Sequence, residues 1–234
     1  MAIIDLFFPS HIKCIFCGEE TKAIAICDKC YASLPFITAQ KCLKCGGVVK
    51  GDGGVCIECK GRDLHYDRCY CLLSYTGIVQ SKVITFKQAG YKHIGETFAH
   101  IMKLGLKEIE EPIDVIVPVP IHDTRRKERG FNQSEVLCTE IKDVPIDTTL
   151  LIRSVNTPHQ TGLSRENREK NLIGCFAVPD KKLVTGKSIL LVDDIYTTGS
   201  TLSECARTLK KAGAKKVYAM CLARAPYKLD NIVQ

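Results

Sequence analysis

Paired acids followed by a hydroxyl-rich loop occur within residues 189–201, ILLVDDIYTTGST. Four apolar residues precede Asp193 and Asp194, and residues 197–201 lead into a helical pattern that begins at Leu202. A continuous apolar run with these boundaries is typical of a buried parallel strand, which predicts that the acids lie at its carboxyl end. Ligands bind at that edge in open α/β sheets.

The loop after the acids is suited to an anion. It opens a helix, so its N–H groups and hydroxyls can surround a phosphate at the positive end of the helix dipole. Two carboxylates beside such a loop suit a sugar phosphate, because they accept hydrogen bonds from vicinal hydroxyls. Alternatively, the acids only cap the helix, since Asp and Thr are common helix starters. The candidate ligand-binding residues are Asp193, Asp194, Thr197, Thr198, Gly199, Ser200 and Thr201.

The same thirteen residues resemble the binding signature for phosphoribosyl pyrophosphate (PRPP) in type I phosphoribosyltransferases. That signature is a β-branched or Leu run, then Asp-Asp, then Thr-Thr-Gly-x-Thr, and every position of it is met here. The resemblance predicts a PRPP site in which the acids bind the ribose and the loop binds the 5′-phosphate.

Eight of the 14 cysteines form four Cys-x-x-Cys pairs. A structural zinc ion needs two thiolates from each of two tight turns, whereas secreted disulfide frameworks rarely repeat this spacing. Redox-active dithiols, the alternative, need one such pair at a helix N-terminus rather than four in succession. The spacing therefore predicts two zinc sites of four thiolates each. The pairs are Cys14/Cys17, Cys27/Cys30, Cys42/Cys45 and Cys56/Cys59.

The four pairs can share two metals in more than one way. In the sequential arrangement the first two pairs hold one ion and the last two hold the other, and a cross-braced arrangement exchanges alternate pairs. Sequential pairing closes shorter loops and costs less entropy, which favours it. The other six cysteines lie mostly in apolar context and are predicted to be small core residues. They are Cys69, Cys71, Cys138, Cys175, Cys205 and Cys221.

Length and composition indicate a globular protein with one substantial domain and one small domain. The chain has 234 residues, of which 45% are hydrophobic and 25% charged. No apolar run approaches the roughly 20 residues of a membrane helix. The apolar stretch at residues 2–8 is too short for a signal peptide and has no basic region before it. We therefore expect a cytoplasmic protein without membrane insertion.

The pattern along the chain predicts two domains, a zinc-binding domain at residues 1–65 and an α/β domain at 66–234. Strands alternating with helices indicate a mainly parallel sheet. The predicted strands are 67–75, 113–117, 147–153, 189–192 and 216–222. The predicted helices are 78–86, 94–106, 132–142 and one from Leu202 to about Ala212.

Two further polar segments are candidates for binding. A strand-end turn, which contains Val119 and Pro120, leads into Arg125, Arg126, Lys127 and Arg129. Such a cluster offers charge-assisted hydrogen bonds to a diphosphate, although an ordinary solvated helix face is the alternative. The second segment, residues 154–172, is a long polar stretch of the kind that forms functional lids or disorder.

The whole chain resembles the ComF-type proteins, which are phosphoribosyltransferase-like and linked to natural competence and DNA uptake. Four motifs occur in the family's order: the cysteine-rich segment, Arg-Gly-Phe-Asn-Gln at 129–133, Gln-x-Gly-Leu-x4-Arg-x-x-Asn at 160–171, and the PRPP signature. The resemblance covers nearly all of residues 1–225. It implies a type I phosphoribosyltransferase fold with an N-terminal zinc-ribbon domain, PRPP binding with Mg²⁺, and handling of incoming single-stranded DNA.

The resemblance also implies a role for each candidate residue. Asp193 and Asp194 would bind the ribose hydroxyls, and residues 197–201 the 5′-phosphate. The pyrophosphate would face Val119, Pro120, Arg125 and Arg129. A mobile loop closing over the site would carry Gln160, Arg168 and Asn171. No residue is an obvious acceptor or general base, so catalysis stays open.

Three functions are therefore compatible with the sequence. The chain is a phosphoribosyltransferase with an unknown acceptor, a non-catalytic module that senses PRPP or holds single-stranded DNA, or an adaptor whose zinc ribbons dock on the DNA-uptake machinery. The net charge of +7 mildly favours a phosphate-rich partner. Lysines and arginines outnumber acids by 8 to 7 through His65 and by 25 to 19 beyond it.

If DNA binds, the charge distribution favours a groove along the second domain. Its basic contacts would come from the cluster at 125–129 and from Arg165, Arg168 and Lys170. Aromatic residues of this part of the chain are available for base stacking, or else belong to the core. They are Tyr66, Tyr70, Tyr75, Phe86 and Tyr91.

Overall fold

The structure is a computed structural model that describes residues 12–21, 24–49, 54–156 and 171–226. The predicted site residues Gln160 and Arg168, and the basic residues Arg165 and Lys170, lie outside the described residues. The helices and strands, in chain order, are β1 (Ile12–Lys13), β2 (Glu20–Thr21), α1 (Asp28–Ala32), β3 (Arg68–Ser74), α2 (Gly77–Phe86), α3 (Lys92–Leu106), β4 (Val115–Pro118), α4 (Asp123–Arg129), α5 (Gln133–Leu137), β5 (Ile152–Arg153), β6 (Phe176–Ala177), a 3-10 turn (Lys181–Leu183), β7 (Ser188–Tyr196), α6 (Ser200–Lys211) and β8 (Lys216–Arg224).

A four-stranded parallel sheet forms the centre of the fold, in the order β3-β8-β7-β4. β7 and β8 are its inner strands and are buried along most of their length, as parallel strands covered on both faces must be. Among the named strands of the described chain, antiparallel pairing is limited to two short ribbons, β1 with β2 and β5 with β6. Isolated antiparallel bridges join Phe36 to Leu73 of β3 and Lys41 to Val48. The predicted α/β architecture with a mainly parallel sheet is confirmed.

β7 extends four residues beyond the apolar run that predicted it. Its pairing with β4 ends at Val192 opposite Pro118, but its pairing with β8 continues to Tyr196 opposite Arg224. Asp193 and Asp194 therefore lie within the strand, at the point where one neighbouring strand ends and the other continues. The opening that this leaves beside β7 gives both acids access to a ligand.

Two predicted elements are shorter in the structure because local turns replace part of each. The strand predicted at 147–153 is reduced to β5, since Asp147 Oδ1 accepts hydrogen bonds from the N–H groups of Thr149 and Leu150 and so forms a turn. The helix predicted at 132–142 ends at Leu137. Beyond it, the N–H groups of Cys138, Thr139 and Ile141 each donate to the carbonyl three residues earlier, a turn pattern rather than a continuing α-helix.

The two faces of the sheet carry separate hydrophobic clusters, as the alternation of side chains along each strand requires. One face packs Ile189, Leu191 and Val217 against α6. The opposite face packs Leu190 and Met220, among others, against α2 and α3. The sheet is therefore enclosed between helices on both sides.

The cysteine-rich segment contacts both faces of this sheet. Its first half packs on the α2–α3 face, where the rings of Phe16 and Phe98 meet edge to face at 6.2 Å. Its second half packs on the α6 face, where the N–H of Cys69 donates to the Leu43 carbonyl at 3.0 Å. The segment thus shares its packing with the α/β part of the chain.

Three of the aromatic residues considered for base stacking belong to the core instead. Tyr66 and Phe86 are fully buried and Tyr70 is 3% exposed, because they face the two packed sides of the sheet. Tyr91 is 43% exposed and remains accessible, and Tyr75 is half-buried. Of the helices in the described chain, none has the length and apolar character that crossing a bilayer requires.

Candidate functional site

The two acids that end the apolar run of β7 have different partners. Asp193 Oδ1 accepts hydrogen bonds from the Ser134 hydroxyl at 3.2 Å and from the N–H of Asp194 at 2.9 Å. Asp194 Oδ2 lies 2.8 Å from the ammonium nitrogen of Lys87, which follows α2. Each carboxylate is thus fixed by a residue from a different element.

The hydroxyl-rich loop at residues 197–201 (the phosphate loop) connects β7 to α6. Thr198 Oγ1 and Ser200 Oγ share a hydrogen bond of 2.8 Å at the start of the helix. Gly199 caps this helix with φ of +77°, where a side chain would be strained. A Cβ at this position would also lie 2.3 Å from the Tyr196 hydroxyl, so the loop lies directly on the Tyr196 ring.

A cleft of 430 Å³ brings most of the predicted site residues together at the carboxyl ends of β4 and β7. Its predicted members are Val119, Pro120, Arg125, Arg129, Asp193, Asp194, Thr197 and Thr201. A further small cavity is lined by the complete phosphate loop together with Asp193, Tyr196 and Leu202, among others. The turn, the acids and the loop therefore form one site.

The predicted basic cluster divides between two faces of α4. Arg125 and Arg129, one helical turn apart, line the cleft. Arg126 faces away and makes a bidentate ion pair with Glu135, with distances of 2.7 and 2.9 Å. Lys127 is exposed. Half of this cluster thus belongs to the cleft and half to the outer surface.

The turn after β4 is held in place by the Asn132 side chain. Its Nδ2 donates to the Val119 carbonyl at 3.1 Å, and the N–H of Val119 donates to Val192 on β7. Asn132 is 2% exposed and also caps α5 through the N–H of Ser134. This part of the Arg-Gly-Phe-Asn-Gln run therefore builds the cleft wall.

Charges in the cleft perturb one another. Withdrawal of the Asp193 carboxyl from water, reinforced by the Asp194 charge, raises the pKa of Asp193 to about 7. Burial lowers the pKa of Arg129, and burial with the nearby Arg125 charge lowers the pKa of Arg153. The cleft is lined by two acidic and four basic side chains. This excess of positive charge suits an anionic ligand that binds together with a cation.

Sequence reasoning missed several residues that line the cleft: Lys87, Ile121, Ser134, Arg153 and Ile195. Tyr75, which was considered for base stacking, and Gln133 of the Arg-Gly-Phe-Asn-Gln run line it as well. Arg153 arrives on β5, and its guanidinium lies 5.5 Å from the centre of the Phe176 ring. Ser134 directly follows the Arg-Gly-Phe-Asn-Gln run that the resemblance singled out, which could have flagged it. Lys87 and Arg153 carry no local signal, since only the tertiary fold brings them to the acids.

Asn171, predicted to lie on the closing loop, is exposed and does not appear among the described residues that line the cleft. Its carbonyl accepts a hydrogen bond from the Cys175 thiol at 3.1 Å. Its partners in that prediction, Gln160 and Arg168, lie outside the described residues, so the role of this loop stays a prediction.

The eight paired cysteines form two clusters with the sequential arrangement. Within each cluster the four sulfurs lie within 4.8 Å of one another. The first cluster is Cys14, Cys17, Cys27 and Cys30, and the second is Cys42, Cys45, Cys56 and Cys59.

Sulfur separations in both clusters fit a tetrahedral zinc ion. Cys17 and Cys27 sulfurs are 3.6 Å apart, and Cys45 and Cys56 sulfurs 3.8 Å apart. With Zn–S bonds of about 2.3 Å, a tetrahedron has sulfur–sulfur edges of about 3.8 Å. The N–H of Cys56 donates to the Cys42 sulfur at 3.3 Å, which stabilises a thiolate.

Three other cysteines, Cys69, Cys71 and Cys221, also lie within 4.8 Å of one another on β3 and β8. At 0–2% exposure they are core residues, as predicted. The Cys71 thiol donates to the Cys45 carbonyl at 3.3 Å, so this group anchors the second cluster to the sheet.

Comparison with known families agrees with this geometry. Residues 88–233 match the phosphoribosyl transferase domain, and residues 3–71 match the double zinc ribbon domain. The chain belongs to the phosphoribosyl transferase domain family. The type I phosphoribosyltransferase fold and the N-terminal double zinc ribbon are therefore confirmed, whereas the boundary at residue 65 stays a prediction.

Curated relatives extend the likeness across both domains. The chain is 28% identical to competence protein F of Haemophilus influenzae, covering 92% of this chain and 98% of that protein. It is 30% identical to the DNA utilization protein YhgH of Salmonella typhimurium, covering 90% and 89%. It is 29% identical to competence protein ComFC of Bacillus subtilis, covering 86% and 84%. The ComF resemblance of this phosphoribosyl transferase domain protein is confirmed.

Proposed function

We propose that this chain binds PRPP together with Mg²⁺ in the 430 Å³ cleft, and that it acts as a ComF-type protein of DNA uptake. The observation that carries the proposal is the convergence of the acidic pair, the phosphate loop and two arginines on one cleft at the carboxyl ends of parallel strands. The family match at residues 88–233 supports the same ligand class.

Each wall of the cleft has its own part of the ligand in this proposal. Asp193 and Asp194 accept hydrogen bonds from the ribose hydroxyls. The phosphate loop, at the N-terminus of the 12-residue helix α6, binds the 5′-phosphate through N–H groups and hydroxyls. Arg125 and Arg129 bind the pyrophosphate with charge-assisted hydrogen bonds.

Mg²⁺ fits the donor set of this cleft, because carboxylate oxygens and substrate phosphates are its usual ligands. Asp193 and Asp194 are the residues that would hold it beside PRPP. The ion supplies neutralisation of the pyrophosphate charge. Lys87 and Arg153 add positive charge around the same group and offer it two further donors.

Single-stranded DNA is the second proposed ligand. Support comes from the names of the relatives, competence protein and DNA utilization protein, and from the exposed Arg126 and Lys127 beside the cleft arginines. Basic residues that extend from a cleft along a helix suit a backbone-tracking groove. A cytoplasmic location, where incoming strands arrive, is part of the proposal.

Pyrophosphate release decides between a transferase and a binding module. The protein is incubated with PRPP and Mg²⁺, with candidate small acceptors or single-stranded DNA, and pyrophosphate is measured by a coupled assay. Release that depends on an acceptor identifies a phosphoribosyltransferase. Saturable PRPP binding without release identifies a PRPP sensor, and absence of PRPP binding would contradict the proposal.

A further inference from the structure

The Arg62 side chain reaches the phosphate loop from the second zinc ribbon. Its terminal nitrogen donates to the Thr198 carbonyl at 2.5 Å. The backbone N–H of Arg62 donates in turn to the carbonyl of Cys59, a member of the second cluster, at 3.2 Å. The turn around the second cluster therefore fixes the point from which Arg62 contacts the loop.

Tyr196, which lies beneath the phosphate loop, contacts Tyr66 just beyond this ribbon and Arg224, which packs against it. Its hydroxyl lies 2.8 Å from the hydroxyl of Tyr66, and both rings are at most 1% exposed. The Arg224 guanidinium lies 5.3 Å from the centre of the Tyr196 ring. A Cβ at Gly47 would lie 2.7 Å from Arg224 Nε, so Arg224 is packed between the second ribbon and Tyr196.

The first cluster has a different position. Its ribbon packs on the opposite face of the sheet, where Phe16 contacts Phe98 of α3. The phosphate loop and α6 belong to the face covered by the second cluster. The two zinc ribbons are thus not equivalent with respect to the cleft.

We propose that Arg62 is a positioning residue that couples the second zinc cluster to ligand binding at the phosphate loop. In a trans peptide the C=O and N–H point in opposite directions. Arg62 holds the Thr198 carbonyl toward the zinc ribbon, so the N–H of Gly199 in the same peptide points away from Arg62. The negative end of the carbonyl dipole is thereby kept from turning toward a bound anion.

Coupling between two sites is reciprocal. An intact second cluster strengthens PRPP binding, and bound PRPP slows zinc loss from that cluster. The inference rests on the proposed PRPP function. It adds a coupling between PRPP binding and the second cluster that the first cluster does not share.

Calorimetric titration of PRPP with Mg²⁺ tests the role of Arg62. Arg62→Ala is expected to weaken PRPP binding up to about tenfold, because the ligand must then order the phosphate loop itself. Arg62→Lys should restore part of the affinity, and Lys60→Ala, an exposed neighbour on the same turn, should leave it unchanged. Unchanged affinity in a folded Arg62→Ala protein would overturn the inference while leaving the PRPP proposal in place.

Zinc release provides the reciprocal measurement. Release into a colorimetric chelator is followed with and without saturating PRPP. The expected result is that PRPP slows one of two release phases in the wild type and slows release in the Cys17→Ser/Cys30→Ser variant, but gives no protection in Arg62→Ala. Equal protection in Arg62→Ala would overturn the inference, and a wild type that binds no PRPP would overturn the proposed function and this inference with it.

Discussion

The ammonium nitrogen of Lys87 lies 2.8 Å from Oδ2 of Asp194, in the cleft where β4 ends and β7 continues. The two side chains are 33% and 12% exposed, so the pair is largely withdrawn from water. An acid that the proposal assigns to the ribose hydroxyls thus forms an ion pair with a lysine from a different part of the chain.

Replacing Lys87 with Met should therefore affect both binding and stability. PRPP affinity should fall about tenfold, since one cation is lost from a cleft for a polyanion. The free energy of unfolding should fall by about 1–3 kcal/mol, because the largely buried Asp194 carboxyl loses its ion-pair partner. Calorimetry and thermal denaturation measure the two effects. Lys82→Met on the preceding helix α2 is the control, and a gain in PRPP affinity would contradict this role for Lys87.

The raised pKa of Asp193 predicts that the free energy of unfolding depends on pH. Because its pKa is about 7 in the fold and about 3.9 when unfolded, the native state holds the extra proton between these values. Stability therefore falls as pH rises through this window. Asp193→Asn removes that loss and should raise stability at pH 8 by at most about 4 kcal/mol. At pH 4 it should give no gain.

Thermal denaturation at pH 4 and pH 8 measures this effect. Asp143→Asn, an exposed acid outside the cleft lining, is the control and should show no gain at pH 8. A wild type and an Asp193→Asn variant with the same pH dependence would show that the Asp193 carboxyl is ionised without cost.

The zinc content follows from the eight clustered thiolates. Purified protein should contain about two zinc ions per chain by elemental analysis. The Cys17→Ser/Cys30→Ser variant should retain one, because it leaves the second cluster complete. A single zinc in the wild type, or disulfides between the paired cysteines, would rule out the two-site arrangement.

The cleft chemistry was accessible from sequence because its signals are local. The two acids are adjacent in the sequence and the phosphate loop follows them closely. The two cysteines of each pair are likewise separated by only two residues. The prediction of a strand over the whole of 147–153 was wrong. Its apolar content gives no sign that the Asp147 side chain accepts hydrogen bonds from the following N–H groups and so forms a turn. The full length of β7 also escaped prediction, since β8 determines where its pairing ends.

Residues that act across the fold had no such local signal. Arg62 contacts Thr198 136 positions later in the chain, and Lys87 meets Asp194 by the same kind of long-range approach. The resemblance to a family identified the motif residues, but only tertiary packing shows which side chains from other elements reach them.

The basic residues of α4 lie on two faces of the helix, so the DNA proposal makes a separate prediction for each face. Single-stranded DNA should bind more tightly than duplex, with affinity that falls steeply with salt. Arg125→Ala/Arg129→Ala and Arg126→Ala/Lys127→Ala should each reduce the steepness of the salt dependence by about 0.7 for every phosphate that the variant no longer neutralises. PRPP should compete through the first pair alone, since that pair lines the cleft.

A fluorescence titration at two salt concentrations, with and without PRPP, measures these effects. Absence of DNA binding at low salt, or indifference to removal of all four charges, would make this helix an ordinary solvated surface.

Calorimetric titration of PRPP in the presence of Mg²⁺, with the wild type and with Asp193→Asn/Asp194→Asn, tests the central claim most directly. The double variant keeps the shape of both side chains, and the strand is buried through Ile189 to Val192, so it should remain folded by circular dichroism. The account predicts saturable binding by the wild type and none by the variant. Equal affinity in the two proteins would contradict it, because the PRPP site would then lie away from the acids of β7.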